Sequence, residues 1–286
     1  MSTTPALTFQ TGTVNSGDST TIGYRRVGTG PGVVLLHGGM QAGQSFTKLA
    51  IALSDGFTVY VPDRRGRGIS GPFTDDHGIT KEIDDLHALL RATGARNVFG
   101  LSAGAVIALQ TALSGPEIAK LALYEPPLSF HGVSSTQWVA RYERELNSGK
   151  LASAFVTIIK GTGDPGGIQL VPRFVLVPMM SLALKADQKT RQPGLASIGD
   201  LIPTMRYDAR TVMDSAGSLD RFAAVRSDVL LLGGAKSAQY LKAALDGLSI
   251  VLPDARRVTL PSVGHTAAEN TGAPDLVAAE LRTFFG

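Results

Sequence analysis

The chain has 286 residues, of which 43% are hydrophobic and 18% charged, and its formal net charge is +3. This composition is typical of a globular protein, and the absence of a long basic run argues against nucleic acid as a partner. Because the chain has no cysteine, disulfides, thiolate metal sites and a cysteine nucleophile are excluded. The first residues lack a basic segment followed by an apolar run, so we expect no signal peptide and a cytoplasmic protein.

One apolar stretch, residues 170–184, has to be weighed against a membrane span. It contains Pro172, Arg173 and Pro178 and is shorter than the ~18 residues that a span requires. The sequence therefore predicts a pair of buried or lid-forming helices there and no contact with a membrane.

Strand patterns alternate with helix patterns along the first half of the chain. Strands are expected at residues 8–14, 20–27, 33–36, 58–62, 98–101 and 120–124, and helices at 45–54, 79–93 and after residue 102. This order predicts a parallel sheet with helices on both faces. Functional groups gather at the carboxyl ends of such strands, so we expect His37, Asp63, Ser102 and Glu125 along one rim. His87 is expected on the surface of the helix at 79–93.

The alternation stops between residues 128 and 219, where no strand pattern is present. We expect this segment, which includes Trp138, Met179 and Met180, to form helices that cover the rim and line an apolar pocket. Strands at 228–232 and 256–260 and helices at 238–245 and 275–285 then resume the pattern. The predicted domains are a core, residues 1–127 and 220–286, and a helical cap, residues 128–219.

The segment Gly100-Leu101-Ser102-Ala103-Gly104 is a Gly-x-Ser-x-Gly corner between an apolar strand and an apolar helix. Such a tight turn exposes the serine hydroxyl above the sheet, and its glycines let strand and helix approach each other. The N–H of Ala103 would point to where a substrate oxyanion forms. A second glycine-rich loop, residues 28–32, precedes a strand, whereas a dinucleotide loop has to follow one, so it predicts no nucleotide site.

The hydroxyl of Ser102 needs a base to become a nucleophile, and His265, in a loop after the last strand, is the natural candidate. An imidazole in this role needs a carboxylate to fix its tautomer.

With these residues in these positions, the chain resembles the α/β-hydrolase family. The resemblance is carried by the His37-Gly38-Gly39 loop, the Asp63-x-Arg65-Gly66-x-Gly68 loop, the Ser102 corner and Gly264-His265. It implies a mostly parallel eight-stranded sheet flanked by helices, with a helical cap after the sixth strand, and a Ser–acid–His triad.

The resemblance also implies an oxyanion hole made by Ala103 and a residue of the loop that holds Gly39 and Met40. His37 is implied to be structural, behind that loop. The charges of Asp63 and Arg65 are expected to tie their own loop together.

The acid departs from the common pattern, because residues 233–240, after the seventh strand, hold no carboxylate. Glu125, at the end of the sixth strand, is assigned as the acid, which resembles a minority of the family that includes the lactonases that open zearalenone. The alternative is a hinge glutamate that bonds to the backbone near Pro126 and Pro127.

A serine at the corner suits acyl transfer, whereas epoxide hydrolases and haloalkane dehalogenases of this fold use a carboxylate. The sequence therefore predicts hydrolysis of a carboxylic ester or lactone of a hydrophobic small molecule, with no cofactor or metal. A carbon–carbon bond hydrolase, a hydroxynitrile lyase, a cofactor-free oxygenase and a non-catalytic ligand-binding protein remain alternatives. Monomer and homodimer both remain open.

Overall fold

Eight strands form one continuous sheet in the computed structural model, which describes residues 8–115, 117–129, 136–163, 167–192 and 194–286. The strands are β1 (Gln10–Asn15), β2 (Thr21–Val27), β3 (Gly32–Leu36), β4 (Thr58–Pro62), β5 (Asn97–Leu101), β6 (Lys120–Tyr124), β7 (Asp228–Gly234) and β8 (Arg256–Leu260). Their spatial order is β1-β2-β4-β3-β5-β6-β7-β8. The pairs β1–β2 and β2–β4 are antiparallel and all other pairs are parallel, which confirms the predicted mostly parallel sheet.

Helices cover both faces of this sheet. They are α1 (Thr47–Leu53), α2 (Ile79–Thr93), α3 (Ala103–Ser114), α4 (Val139–Asn147), α5 (Leu151–Gly161), α6 (Arg173–Lys189), α7 (Ile198–Leu201), α8 (Met205–Asp214), α9 (Gln239–Val251) and α10 (Pro274–Phe285). One apolar core joins the sheet to α2, α3 and α9, and the other joins it to α1 and α10. The central strands are therefore buried on both faces, which explains their unbroken apolar sequences.

Helices α4 to α8 lie between β6 and β7 in the sequence, and we call them the inserted helices. They have a small apolar cluster of their own, built from Tyr142, Ala154, Ile158 and Ile202. None of the described helices is both long and apolar enough to cross a membrane.

The structure corrects two expectations about burial. His87 is only 9% exposed, and its Nε2 lies 2.9 Å from Ser114 Oγ, because α2 packs against α3 and covers this face. Residues 173–189 form one helix that runs through Pro178 and buries Leu176, but several of its large apolar side chains are exposed: Phe174 is 80% and Leu182 69% exposed. The reason is that α6 lies on the outside of the inserted helices.

Candidate active site

Ser102 occupies a strained turn between β5 and α3. Its φ of 55° and ψ of −121° are a conformation that non-glycine residues rarely adopt. A Cβ on Gly100 would lie 2.6 Å from Ala105 Cα, and one on Gly104 would lie 2.3 Å from the Leu36 carbonyl oxygen. The two glycines therefore allow the close approach that forces the tight turn.

Glu125 and His265 form a hydrogen-bonded pair at the same edge of the sheet. Glu125 follows β6 with a φ of 48°, is fully buried, and places Oε2 2.8 Å from His265 Nδ1. Its other oxygen, Oε1, accepts the N–H of Gly234 at 2.6 Å. A carboxylate at this position makes Nδ1 the protonated nitrogen and leaves Nε2 as a proton acceptor.

The loop that carries His265 is fixed from two sides. The Tyr124 hydroxyl donates to the Gly264 carbonyl oxygen at 2.8 Å. Burial raises the pKa of Tyr124, and the charge of Glu125 adds to this, so the phenol stays a neutral donor. The loop also passes so close to β7 that a Cβ on Gly234 would lie 2.4 Å from the Val263 carbonyl oxygen. As a result, the imidazole is held where it lines the same cavity as Ser102.

The first acid after β7 in the sequence has a partner other than the imidazole. Asp246 is on α9, with a side chain 68% exposed that faces Arg257 at 3.4 Å. Glu125 bonds to His265 and Gly234, whereas the alternative interpretation placed its bonds near Pro126 and Pro127. The structure thus brings together the acid and base that the sequence suggested.

The loop after β3 has three N–H groups that could face an oxyanion, those of Gly38, Gly39 and Met40. Two of them already donate hydrogen bonds to side chains. Gly38 N–H donates to Gln41 Oε1 at 2.7 Å, and Met40 N–H donates to Asp208 Oδ2 at 3.1 Å. Gly39 lines the cavity together with Ser102 and Ala103. The expectation for Met40 is therefore corrected, because its N–H is occupied by the carboxylate of Asp208.

His37 lies behind this loop and is fully buried. Its Nδ1 is 3.0 Å from the Gly38 carbonyl oxygen, and its Nε2 accepts the N–H of Arg64 at 3.2 Å. Burial, followed by the charges of Arg67 and Arg64, holds the pKa of His37 well below its ordinary value. A permanently neutral imidazole with both nitrogens engaged supports the loop and has no free atom for catalysis.

Asp63 and Arg65 also have structural partners, although not each other. Asp63 pairs with Arg25 at 2.7 Å and accepts the N–H of Gly43 at 2.7 Å. Arg65 pairs with Asp85 through Nε at 2.7 Å and Nη2 at 2.5 Å. These contacts tie the loop after β4 to β2, to the loop after β3 and to α2.

The cavity above Ser102 has a volume of about 50 Å³. Its described lining is mostly apolar, with a few polar groups, and holds no lysine or arginine: Gly39, Ser102, Ala103, Pro127, Thr136, Trp138, Thr162, Met205, Asp208, Ala209, Val212, Tyr240 and His265. Met179 and Met180 are not in this lining, contrary to expectation, because α6 lies outside. Helix α8 supplies the apolar wall instead.

Sequence reasoning missed Asp208. A signal was present, since Met205, Asp208, Ala209 and Val212 recur at helical spacing and therefore share one face of α8. A carboxylate on an otherwise apolar face indicates a buried ionic partner.

Comparison with known proteins gives three kinds of match. A sequence model described as "Alpha/beta hydrolase family" matches residues 33–280. The solved structure of an alpha/beta hydrolase from Sphaerobacter thermophilus is 31% identical, covers 96% of this chain and 100% of that one, and has a TM-score of 0.77.

Two curated proteins are similar over most of the chain. The 2-(acetamidomethylene)succinate hydrolase of Mesorhizobium japonicum is 24% identical over 268 residues, which are 92% of this chain and 91% of that protein. The pimeloyl-[acyl-carrier protein] methyl ester esterase of Xanthomonas campestris is 24% identical over 259 residues, 90% of this chain and 96% of that protein.

Proposed function

Because the chain belongs to the alpha/beta hydrolase family, we propose that it is a serine hydrolase that cleaves a carboxylic ester or lactone of an uncharged, apolar small molecule. The observation that carries this proposal is the 2.8 Å contact between Glu125 Oε2 and His265 Nδ1, with the imidazole in the cavity that Ser102 also lines.

In the first half of the proposed reaction, His265 Nε2 takes the proton of Ser102 as Oγ attacks the acyl carbon. Glu125 stabilises the resulting imidazolium and holds its orientation. The negative charge on the acyl oxygen is met by the N–H groups of Gly39 and Ala103. Ala103 is the first residue of α3, so its N–H has no partner within the helix and carries the positive end of the helix dipole.

In the second half, the tetrahedral intermediate collapses and His265 gives the proton to the leaving alcohol oxygen. The acyl group is then an ester of Ser102. Water, deprotonated by His265, attacks this ester, and His265 returns the proton to Ser102 Oγ as the acid is released. When the substrate is a lactone, acid and alcohol leave as one molecule.

The lining of the cavity supports an uncharged acyl group. A carboxylate on the substrate would find no lysine or arginine in the described lining and would lie near Asp208, whose negative charge is already paired with Arg64 and Arg67. The succinate named for the Mesorhizobium relative is a dicarboxylate, so we propose a different substrate class here.

The size of the cavity supports a moving cap. Pockets that hold small-molecule ligands measure roughly 300–1,000 Å³, whereas this cavity holds about 50 Å³. We propose that the inserted helices act as a cap and move away from the core to admit substrate. The apolar cluster of Tyr142, Ala154, Ile158 and Ile202 within these helices supports such a unit, whereas Val212 of α8 packs into the core.

The test is ester and lactone turnover by the wild-type protein and by Ser102→Ala. The panel contains p-nitrophenyl acetate and butyrate, a medium-ring lactone and the monomethyl ester of succinic acid. We expect turnover of the neutral substrates, little of the succinate ester, and a loss in kcat of about 10⁴-fold or more in Ser102→Ala.

A matched control is Ser148→Ala, which removes an exposed hydroxyl at the end of α4 and should leave kcat unchanged. Equal turnover by Ser102→Ala and wild type would overturn the proposed function.

A further inference from the structure

We propose that Asp208 is a positioning residue for this reaction: from α8 of the inserted helices, its carboxylate holds the loop of residues 37–41 so that Gly39 N–H faces the oxyanion. Asp208 has this role only if the proposed function is correct, because it acts on the same site.

Asp208 forms the centre of a buried ionic cluster between α8 and the loop after β4. Its side chain is 1% exposed and lies 2.7 Å from Arg67 Nη2 and 2.8 Å from Arg64 Nη1. Arg64 is held in turn by Glu82, at 2.6 Å and 3.0 Å. Burial alone would raise the pKa of Asp208, but the charges of Arg67 and Arg64 hold it below its ordinary value. The carboxylate is therefore ionised and fixed in place.

The first link from Asp208 to the loop is the hydrogen bond to Met40 N–H, at 3.1 Å. Met40 has a φ of 52°, which is costly for a residue with a side chain. A charged acceptor for its N–H offsets that cost. The Met40 side chain also packs against the apolar cluster of the inserted helices. Backbone and side chain of this residue thus both depend on those helices.

The second link runs through Arg64. Arg64 Nη1, the atom that bonds to Asp208, lies 3.4 Å from the Gly38 carbonyl oxygen, which also faces His37 Nδ1 at 3.0 Å. In a trans peptide the C=O and the following N–H point in opposite directions. Because the Gly38 C=O points to Arg64 and His37, Gly39 N–H points away from them, and Gly39 lines the cavity.

Asp208 therefore restrains the peptide groups on both sides of Gly39, one directly and one through Arg64. It belongs to the inserted helices, whereas the loop belongs to the core. It follows that the oxyanion hole is complete only when α8 is seated on the core, so the catalytic geometry forms as the inserted helices close.

The experiment compares two substitutions with a matched control. Asp208→Asn removes the charge, and Asp208→Glu keeps the charge but displaces the oxygens by the length of one methylene group. The control is Asp85→Asn, which removes another buried carboxylate that pairs with an arginine of the same loop, Arg65, from α2. For each variant we would measure thermal stability, kcat and KM for a neutral ester, and inhibition by an alkyl boronic acid, which forms a tetrahedral anion on Ser102.

We expect Asp208→Asn and Asp208→Glu to lose about 10²-fold in kcat, the range found when one oxyanion donor is lost. KM should change less than about threefold, and the boronic acid should bind more weakly by a factor similar to the loss in kcat/KM. Asp85→Asn should lose stability but keep its kcat. If Asp208→Asn fails to fold, the charge-conserving Asp208→Glu decides the question.

The role of Asp208 would be disproved if a folded variant kept wild-type kcat and boronic acid affinity, or if Asp85→Asn lost kcat and affinity to the same extent. A wild-type protein without ester or lactone turnover would instead overturn the proposed function, and the role of Asp208 with it.

Discussion

Replacing Glu125 with glutamine changes one oxygen of the buried acid into an NH₂ group without changing its size. Gly234 N–H, 2.6 Å from Oε1, needs an acceptor, so the amide oxygen should stay there. The NH₂ group is then placed against His265 Nδ1, where Oε2 lies 2.8 Å away in the native protein. Two N–H groups cannot bond to each other, so Nδ1 has to become the acceptor.

The consequence is a change of tautomer in a folded protein. With the proton on Nε2, His265 cannot take the proton of Ser102. In serine proteases a catalytic histidine held in this wrong tautomer lowers kcat by about 10⁴-fold. This loss corresponds to about 5 kcal/mol of transition-state stabilisation. We expect a loss of ~10³–10⁴-fold in kcat with little change in KM and melting temperature.

The assay is hydrolysis of a neutral p-nitrophenyl ester by wild type, Glu125→Gln and Asp246→Asn. The third protein is the control, because Asp246 is the next acid after β7 and its side chain is 68% exposed. The role of Glu125 as the acid is refuted if Glu125→Gln keeps more than about a tenth of wild-type kcat, or if Asp246→Asn shows the larger loss.

Three further outcomes follow from the structure. Gly104→Ala places a Cβ 2.3 Å from a backbone oxygen and should leave little folded protein. The control Gly17→Ala, where a Cβ would meet nothing within 4 Å, should fold normally. Circular dichroism and the melting temperature show whether each variant is folded. Tyr124→Phe removes the donor to the Gly264 carbonyl and should lower kcat about tenfold by loosening the loop that carries the base, and unchanged kinetics would contradict this. Burial lowers the pKa of His77 from 6.5 to about 4, so between these pH values the unfolded chain binds a proton that the folded protein does not. The free energy of unfolding should therefore fall as the pH drops from 6.5 to about 4. In urea titrations His77→Phe should reduce this fall, and an unchanged pH profile of stability would refute the assignment to His77.

Much of the core could be predicted because its pattern is local. Apolar runs such as residues 33–36 and 121–124 can be strands buried on both faces, and the structure places strands there. Glycines at the Ser102 corner allow a close approach that few other residues allow, so the turn and the following helix also follow from the sequence. The position of Glu125 at the rim of the sheet could be predicted from the end of β6 alone.

Other features depend on contacts that no local pattern specifies. Asp208 acts through Arg64, 144 positions earlier in the chain. The choice between Gly39 and Met40 as oxyanion donor depends on the direction in which single peptide groups point. The glycines in this loop do not specify that direction. The exposure of α6 and the burial of His87 depend on which helix face a neighbour covers.

The most direct test of the account is to locate the nucleophile. The wild-type protein is treated with a fluorophosphonate, digested with trypsin and analysed by tandem mass spectrometry. We predict a single phosphonyl adduct in the peptide of residues 97–120, assigned to Ser102, and none in Ser102→Ala. An unmodified wild-type protein, or an adduct that persists in Ser102→Ala, would contradict the claim that Glu125 and His265 activate this hydroxyl.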